Sequence, residues 1–259
     1  MFSLNPSLQS YSWGSKTLIA DLRGEESPTQ HPQAELWYGA HPAAPADIAG
    51  VPLTDIIAAD PDRELGAAVR ARFGDRLPFL LKILAVAEPL SLQAHPSLAQ
   101  AQEGFRRENA QGIDVRAGNR NYRDDNHKPE LIVALTPFHA MAGFRPLAAT
   151  LELFAALDCP SLARYVGMID STGEEAVNLR MLFTTWITIP AAVRKQLIDD
   201  IVVAAKRVVA EGSAAEWQRE TLANIIELDT HYPGDVGVLG ALLLNYVRLE
   251  PGEGIYLDA

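Results

Sequence analysis

Two short strings in this sequence bring together residue types that handle metal ions and protons. In SLQAHP, Gln93 and His95 lie two residues apart, and on an extended chain alternate side chains share a face at about one ligand-to-ligand spacing. An amide oxygen and an imidazole so placed are either two donors to one metal ion or an ordinary polar face, and on spacing alone the second is the commoner outcome. In NHKPE, Pro129 disfavours helix at Lys128, which leaves Lys128 and Glu130 facing the same way. That pair reads as a solvated ion pair or as a cation and a carboxylate entering one pocket. Glu130 leads into the apolar run LIVAL, and a carboxylate at the mouth of a buried strand needs a partner, of which a metal ion is one.

These residues depend on the elements that carry them. Residues 77–96, LPFLLKILAVAEPLSLQAHP, read as two short apolar strands split at Pro89, the second ending at Pro96 directly after the Gln-x-His pair. Ser97 is placed to cap a helix over roughly 97–109, and the polar, turn-rich stretch 111–129 is a long loop leading to Lys128 and Glu130. A strand follows at ELIVALTPFHAMAGF. Upstream, residues 50–73 carry two short helical patterns broken at Asp60-Pro61. From Pro146 to about His231 the period is helical: Val193, Leu197, Ile201, Ala204 and Val208 line one face behind Pro190. Ser213 and Glu216 suggest a capping box for the last helix, and Tyr232-Pro233-Gly234-Asp235 closes it. Strand pattern returns in LLLNYVRLEPGEGIYLDA, with Pro251-Gly252 as the turn between two apolar runs. A β pattern interrupted by helices and then resumed predicts an α+β fold with the helices as an insertion. The abrupt end at Tyr-Leu-Asp-Ala is what a C-terminally truncated chain would show.

Composition narrows the chemistry. The chain has 259 residues, 48% of them hydrophobic and 21% charged, an ordinary globular balance. Cys159 is its single cysteine, so neither a disulfide framework nor a multi-cysteine zinc site is available, and a metal must use histidine, carboxylate or amide donors. A formal charge of −11 repels a nucleic-acid backbone; any phosphate-bearing partner is expected to be small and held by local cations. The start MFSLNPSLQSYSWG has no basic-then-apolar leader pattern, and no run reaches the length of a membrane span. A cytoplasmic protein without membrane or nucleic-acid partners is expected. His31, His41, His127, His139 and His231 lack a neighbour at ligand spacing and read as structural. Lys82 and Arg145 could assist phosphate binding, although a solvent-facing strand-end cation is the commoner case.

The strings YSWGSK (11–16), AELWYGAHP (34–42), 77–96, RNYRDDNHKPEL (120–131) and YPGDVGVLGALLLNYVRLEPGEGIYL (232–257) resemble type I phosphomannose isomerases in order and spacing. The combination of LQAHP with NHKPE is highly specific to that family. The resemblance implies a cupin-type antiparallel β-sandwich with an inserted helical domain: residues 1–145 form the first part of the core, 146–232 the insertion, and 233–259 the return to an incomplete core. It further implies one Zn²⁺ per chain held by Gln93, His95, Glu130 and a second histidine. That histidine belongs to a segment resembling GNLHAY, which follows the strand reading GIYLDA here, and the family's catalytic arginine lies further on. Neither is in this sequence. Trp13 resembles the family's active-site tryptophan and would pack against sugar; a half-buried core aromatic is the equal alternative. Relatives commonly carry a lysine two or three residues after the ligand histidine, where this chain has Ser97 and Leu98. Ser97, at a helix start, remains as a phosphate contact through its hydroxyl and free amides.

The implied activity is that of an isomerase interconverting mannose 6-phosphate and fructose 6-phosphate through an enediol, feeding GDP-mannose and carbohydrate metabolism, and a monomer is expected. One carboxylate and three neutral donors leave zinc a net charge near +1, enough to polarise sugar oxygens. Lys128 is the local cation for electrostatic stabilisation or proton transfer. A different class of reading is a non-catalytic cupin module that binds a metal or sugar. A cupin oxygenase would use two or three histidines with a carboxylate around iron, and only one well-placed histidine is present.

Overall fold

The structure is a computed structural model and describes residues 2–258. It divides into two compact units, Met1–Leu90 and Ser91–Ala259.

The first unit holds β1 (Ser7–Gln9), α1 (Leu18–Arg23), β2 (Glu35–Tyr38), the short pair β3 (Asp47–Ile48) and β4 (Val51–Pro52), α2 (Leu53–Ala59), α3 (Pro61–Phe73) and β5 (Leu81–Leu84). Strands β1, β2 and β5 make an antiparallel sheet in that order. Ile19, Leu36 and Ala85 form its small core. The break between α2 and α3 falls at Asp60-Pro61 as the proline predicts, and the Asp60 carboxylate accepts the Arg63 N–H at 3.2 Å. Gly14 is required: a Cβ there would meet backbone atoms of Ala34 at 2.7 Å.

The second unit holds α4 (Leu98–Ala110), β6 (Glu130–Val133), β7 (Phe138–Phe144), α5 (Leu147–Leu157), α6 (Pro160–Val166), α7 (Glu175–Thr188), α8 (Ala191–Glu211), α9 (Glu216–His231), α10 (Val236–Ala241), β8 (Leu244–Leu249) and β9 (Gly254–Leu257). Strand β6 pairs antiparallel with β9, and β7 with β8. The two ladders keep one register, Glu130 opposite Leu257 and Phe138 opposite Leu249, and Ala134 exchanges backbone bonds with Gly252 and Glu253 between them. Residues 130–144 and 244–257 therefore form one ribbon, and the helices leave from β7 and return to β8. Its apolar side chains are not all covered: Leu131, Val133 and Tyr256 are 68, 52 and 61% exposed. The sheets are small and not closed.

The main core lies among the helices, where Leu153, Leu182, Trp186, Ile198, Ile201, Leu222 and Ile225 are all but inaccessible. On α8 the expected stripe buries Leu197, Ile201, Ala204 and Val208, while Val193, in the first turn, stays exposed. Three expectations change. Residues 91–97 make no ladder: prolines at 89 and 96 remove donors from either end, so Gln93 and His95 sit on an unpaired segment rather than on a second strand. Ser213 does not cap α9; that helix starts at Glu216, and Gln218 Oε1 accepts the Ala215 N–H at 3.0 Å. The single strand expected from Glu130 to Phe144 is two, broken at Thr136-Pro137. Among the described residues no single helix is long and apolar enough to cross a membrane.

Candidate metal centre

The second unit brings His95 and Glu130 together. His95 Nδ1 lies 3.9 Å from Glu130 Oε2, with the two side chains 19 and 50% exposed. That separation is too long for a hydrogen bond. It is close to the spacing of about 3.3–3.5 Å between two donors that each sit about 2.0–2.2 Å from a tetrahedral zinc ion. Glu130 is the first residue of β6, and His95 precedes the Pro96-Ser97 start of α4. Gln93 is exposed on the same unpaired segment. Among the described residues no three histidine, cysteine, aspartate or glutamate side chains converge. The donors here are therefore two ionisable groups, with the Gln93 amide as the third candidate. One carboxylate, one imidazole and one amide suit a borderline cation such as zinc.

The neighbouring residues have partners of their own. Ser97 caps α4, its Oγ accepting from Gln100 N at 3.4 Å while its own N–H donates to Gln100 Oε1 at 2.9 Å. Lys128 is paired with Asp124, Nζ to Oδ2 at 3.0 Å, rather than with Glu130. Both partners are about half exposed, so the pair is weak and easily exchanged.

The loop before Glu130 is held by two residues that sequence reasoning passed over. Arg120 and Glu108 are each 4% exposed. The guanidinium donates to the carbonyls of Tyr122 (2.6 Å), Ile113 (2.7 Å) and Phe105 (3.4 Å) and to Asn109 Oδ1 (2.8 Å), and its Nε lies 3.0 Å from Glu108 Oε2. The Glu108 carboxylate accepts the N–H groups of Tyr122 (2.9 Å) and Asn121 (3.2 Å) and the Asn121 side-chain amide (3.1 Å). The Tyr122 N–H is the largest of the influences that hold this carboxyl below the usual glutamate range, against the upward push of burial. The available signal was positional: Glu108 occurs near the end of a capped helix, followed by a loop rich in arginine.

Other candidate cations are occupied. Arg145 is not a solvent-facing strand end: it is buried, donates to the carbonyls of Leu242 (2.9 Å) and Leu244, and lies over the Trp217 ring. Burial lowers its pKa from the ordinary arginine value. In the first unit, Lys82 Nζ is 3.3 Å from Glu35 Oε2 and 4.8 Å from the Trp37 ring centre. Trp13, also in that unit, is half-buried and stacks on Tyr11 at 5.6 Å. His139 is not isolated, since its Nδ1 lies 3.0 Å from the Tyr246 hydroxyl.

The strand-leading Glu130 and His95, brought together from an unpaired segment that also carries Gln93, define a candidate single-metal centre in a mixed helix-and-strand protein. The sequence matches the family described as "Phosphomannose isomerase type I, catalytic domain" over residues 1–147. It is 40% identical over 266 residues to mannose-6-phosphate isomerase of Escherichia coli, covering 100% of this chain and 64% of that protein. It is 31% identical to the Homo sapiens mannose-6-phosphate isomerase, covering 100% and 63%. A solved mannose 6-phosphate isomerase from Salmonella typhimurium, bound to fructose 6-phosphate and zinc, matches with a TM-score of 0.83 at 38% identity, covering 100% of this chain and 64% of that one. The apo form from the same organism matches with a TM-score of 0.84 at 38% identity, covering 100% and 63%. The chain belongs to the type I phosphomannose isomerase family. It spans just under two thirds of the length of these relatives.

Proposed function

We propose that this chain is the metal-binding part of a zinc-dependent isomerase that interconverts mannose 6-phosphate and fructose 6-phosphate. The observation that carries this reading is the approach of His95 Nδ1 to Glu130 Oε2 at 3.9 Å within the two motifs most specific to the family. Gln93, His95 and Glu130 are the proposed donors. The β9 strand runs with Leu257 opposite Glu130, so residues following it would pass the donor end of β6, where the fourth donor is expected. The family likeness supports a cupin-type β-sandwich made of residues 1–145 and 233–259, with 146–232 as the helical insertion. The pairing of β7 with β8 across the helices supports that division.

A bound zinc ion would supply Lewis-acid polarisation of sugar oxygens. The reaction moves a proton from C2 of the aldose to C1 while negative charge grows on oxygen. Lys128, once exchanged from Asp124 to substrate, stabilises that charge or relays the proton. Ser97 and the first-turn amides of α4 are the proposed phosphate contacts, and Trp13 is a proposed sugar contact. A cytoplasmic monomer acting on a small sugar phosphate in GDP-mannose synthesis completes the reading.

The test is coupled isomerase activity on mannose 6-phosphate, with and without chelator, for the protein expressed from its full reading frame. Zinc-dependent activity that disappears in Glu130→Ala supports the proposal. A folded, zinc-loaded protein without activity would replace it with a non-catalytic metal- or sugar-binding module.

A further inference from the structure

We propose that the buried Glu108–Arg120 pair is a clasp that sets the two halves of the metal centre against each other, making both of them positioning residues for zinc. The inference rests on the assignment of Gln93, His95 and Glu130 as donors. His95 and Glu130 come from opposite ends of a segment that consists of α4 and the loop 111–129. A loop of that length without regular structure ordinarily samples many conformations. Here it is folded back on the helix. Arg120 closes the first half by holding the Ile113 carbonyl and Asn109, and turns the second half by holding the Tyr122 carbonyl. Glu108 takes the N–H groups of Asn121 and Tyr122 from the helix side. The Tyr122 ring then lies against Gly104, where a Cβ would approach it to 2.5 Å, and the Arg107 guanidinium sits 5.8 Å from its centre.

From this anchor the chain has little slack. Residues 123–129 separate Tyr122 from Glu130, the Asp124 carboxylate accepts the Asn126 N–H at 3.0 Å within them, and Pro129 restricts the last step. At the other end Pro96 and the Ser97 cap tie His95 to the start of α4. Helix α4 is thus a rigid strut with one donor at its N-terminus, and its C-terminal half serves as the template on which the approach to the other donor is folded. An unpaired buried ion would break this template, since Arg120 ties the loop carbonyls of Ile113 and Tyr122 to Phe105 and Asn109 of α4 while Glu108 holds Asn121 and Tyr122 from the helix side. If the donor-competent arrangement falls to about a tenth of the population, apparent zinc affinity falls about tenfold, because only that fraction binds.

The experiment measures zinc affinity by competition with a chromophoric chelator, together with proteolysis within 111–129, for the unmodified protein and for Glu108→Gln, Arg120→Lys and Glu130→Ala. The clasp predicts about tenfold weaker zinc binding in both Glu108→Gln and Arg120→Lys, faster cleavage of the loop, and restored protection at saturating zinc, since linkage is reciprocal. Glu130→Ala should lose zinc with its loop still protected. Using two clasp variants keeps the test decisive if one does not fold. Unchanged zinc affinity in a folded clasp variant, alongside lost affinity in Glu130→Ala, overturns the clasp and leaves the metal assignment standing. Unchanged affinity in Glu130→Ala overturns the metal assignment and the clasp with it.

Discussion

Gly104→Ala should destabilise the protein although alanine is the better helix former. Gly104 is inside α4 and buried, and a Cβ there would lie 2.5 Å from two carbons of the Tyr122 ring. The helix gains about 1 kcal/mol from the substitution. Forcing a methyl group into a filled site costs about 1–3 kcal/mol, so the net effect is a loss of up to about 2 kcal/mol. In a Tyr122→Ala background the obstruction is gone, and the same change should stabilise by about 1 kcal/mol. The two effects differ in sign, which corresponds to a coupling of about 1–3 kcal/mol between positions 104 and 122. Urea unfolding followed by far-ultraviolet circular dichroism measures it, with midpoints compared at constant slope. An equal shift in both backgrounds would refute the packing argument, because the ring would then not be what Gly104 accommodates.

Three further outcomes follow from other parts of the structure. Leu182 is fully buried in the helical core, so Leu182→Ala should cost about 2–5 kcal/mol in urea unfolding while leaving zinc affinity unchanged. Cys159 is buried, and desolvation raises its thiol pKa; labelling by a thiol reagent at pH 8 should be slow in the folded protein and fast in denaturant, because the thiolate is the reacting form. The depressed pKa of Glu108 sets a pH dependence of known sign. Its folded value lies below the ordinary value of about 4.5, so its contribution is complete above that pH and is lost as the pH falls through the lower folded value. The stability difference between the unmodified protein and Glu108→Gln should therefore shrink as urea midpoints are followed downward from pH 4.5.

Much of this was legible in local sequence. Ser97 marks the start of α4, Asp60-Pro61 marks the break before α3, and the stripe from Leu197 to Val208 marks the buried face of α8. These signals depend on neighbours within a few residues. Strand pairing does not. The apolar runs around Pro251-Gly252 look like the two arms of a hairpin, yet β8 pairs with β7 and β9 with β6, a choice made by long-range packing across the helical segment. Helix α10 escaped notice because VGVLGA, with two glycines, has neither helical propensity nor a readable period. SLQAHP looked like a strand because its pattern is apolar and punctuated, but pattern cannot supply a partner strand. At the site, the motifs point to Gln93, His95 and Glu130, whereas nothing in the polar stretch 111–129 sets Arg120 apart from its neighbours. Its burial is a property of the folded loop, since the backbone carbonyls that receive its protons come together only there.

The proposal that His95 and Glu130 share one metal ion stands or falls on where zinc binds. The most direct test is anomalous diffraction at the zinc edge from crystals of the zinc-loaded protein. A peak is expected within about 2.0–2.2 Å of both a His95 ring nitrogen and a Glu130 oxygen. Zinc bound elsewhere, with no peak between those two side chains, would contradict it.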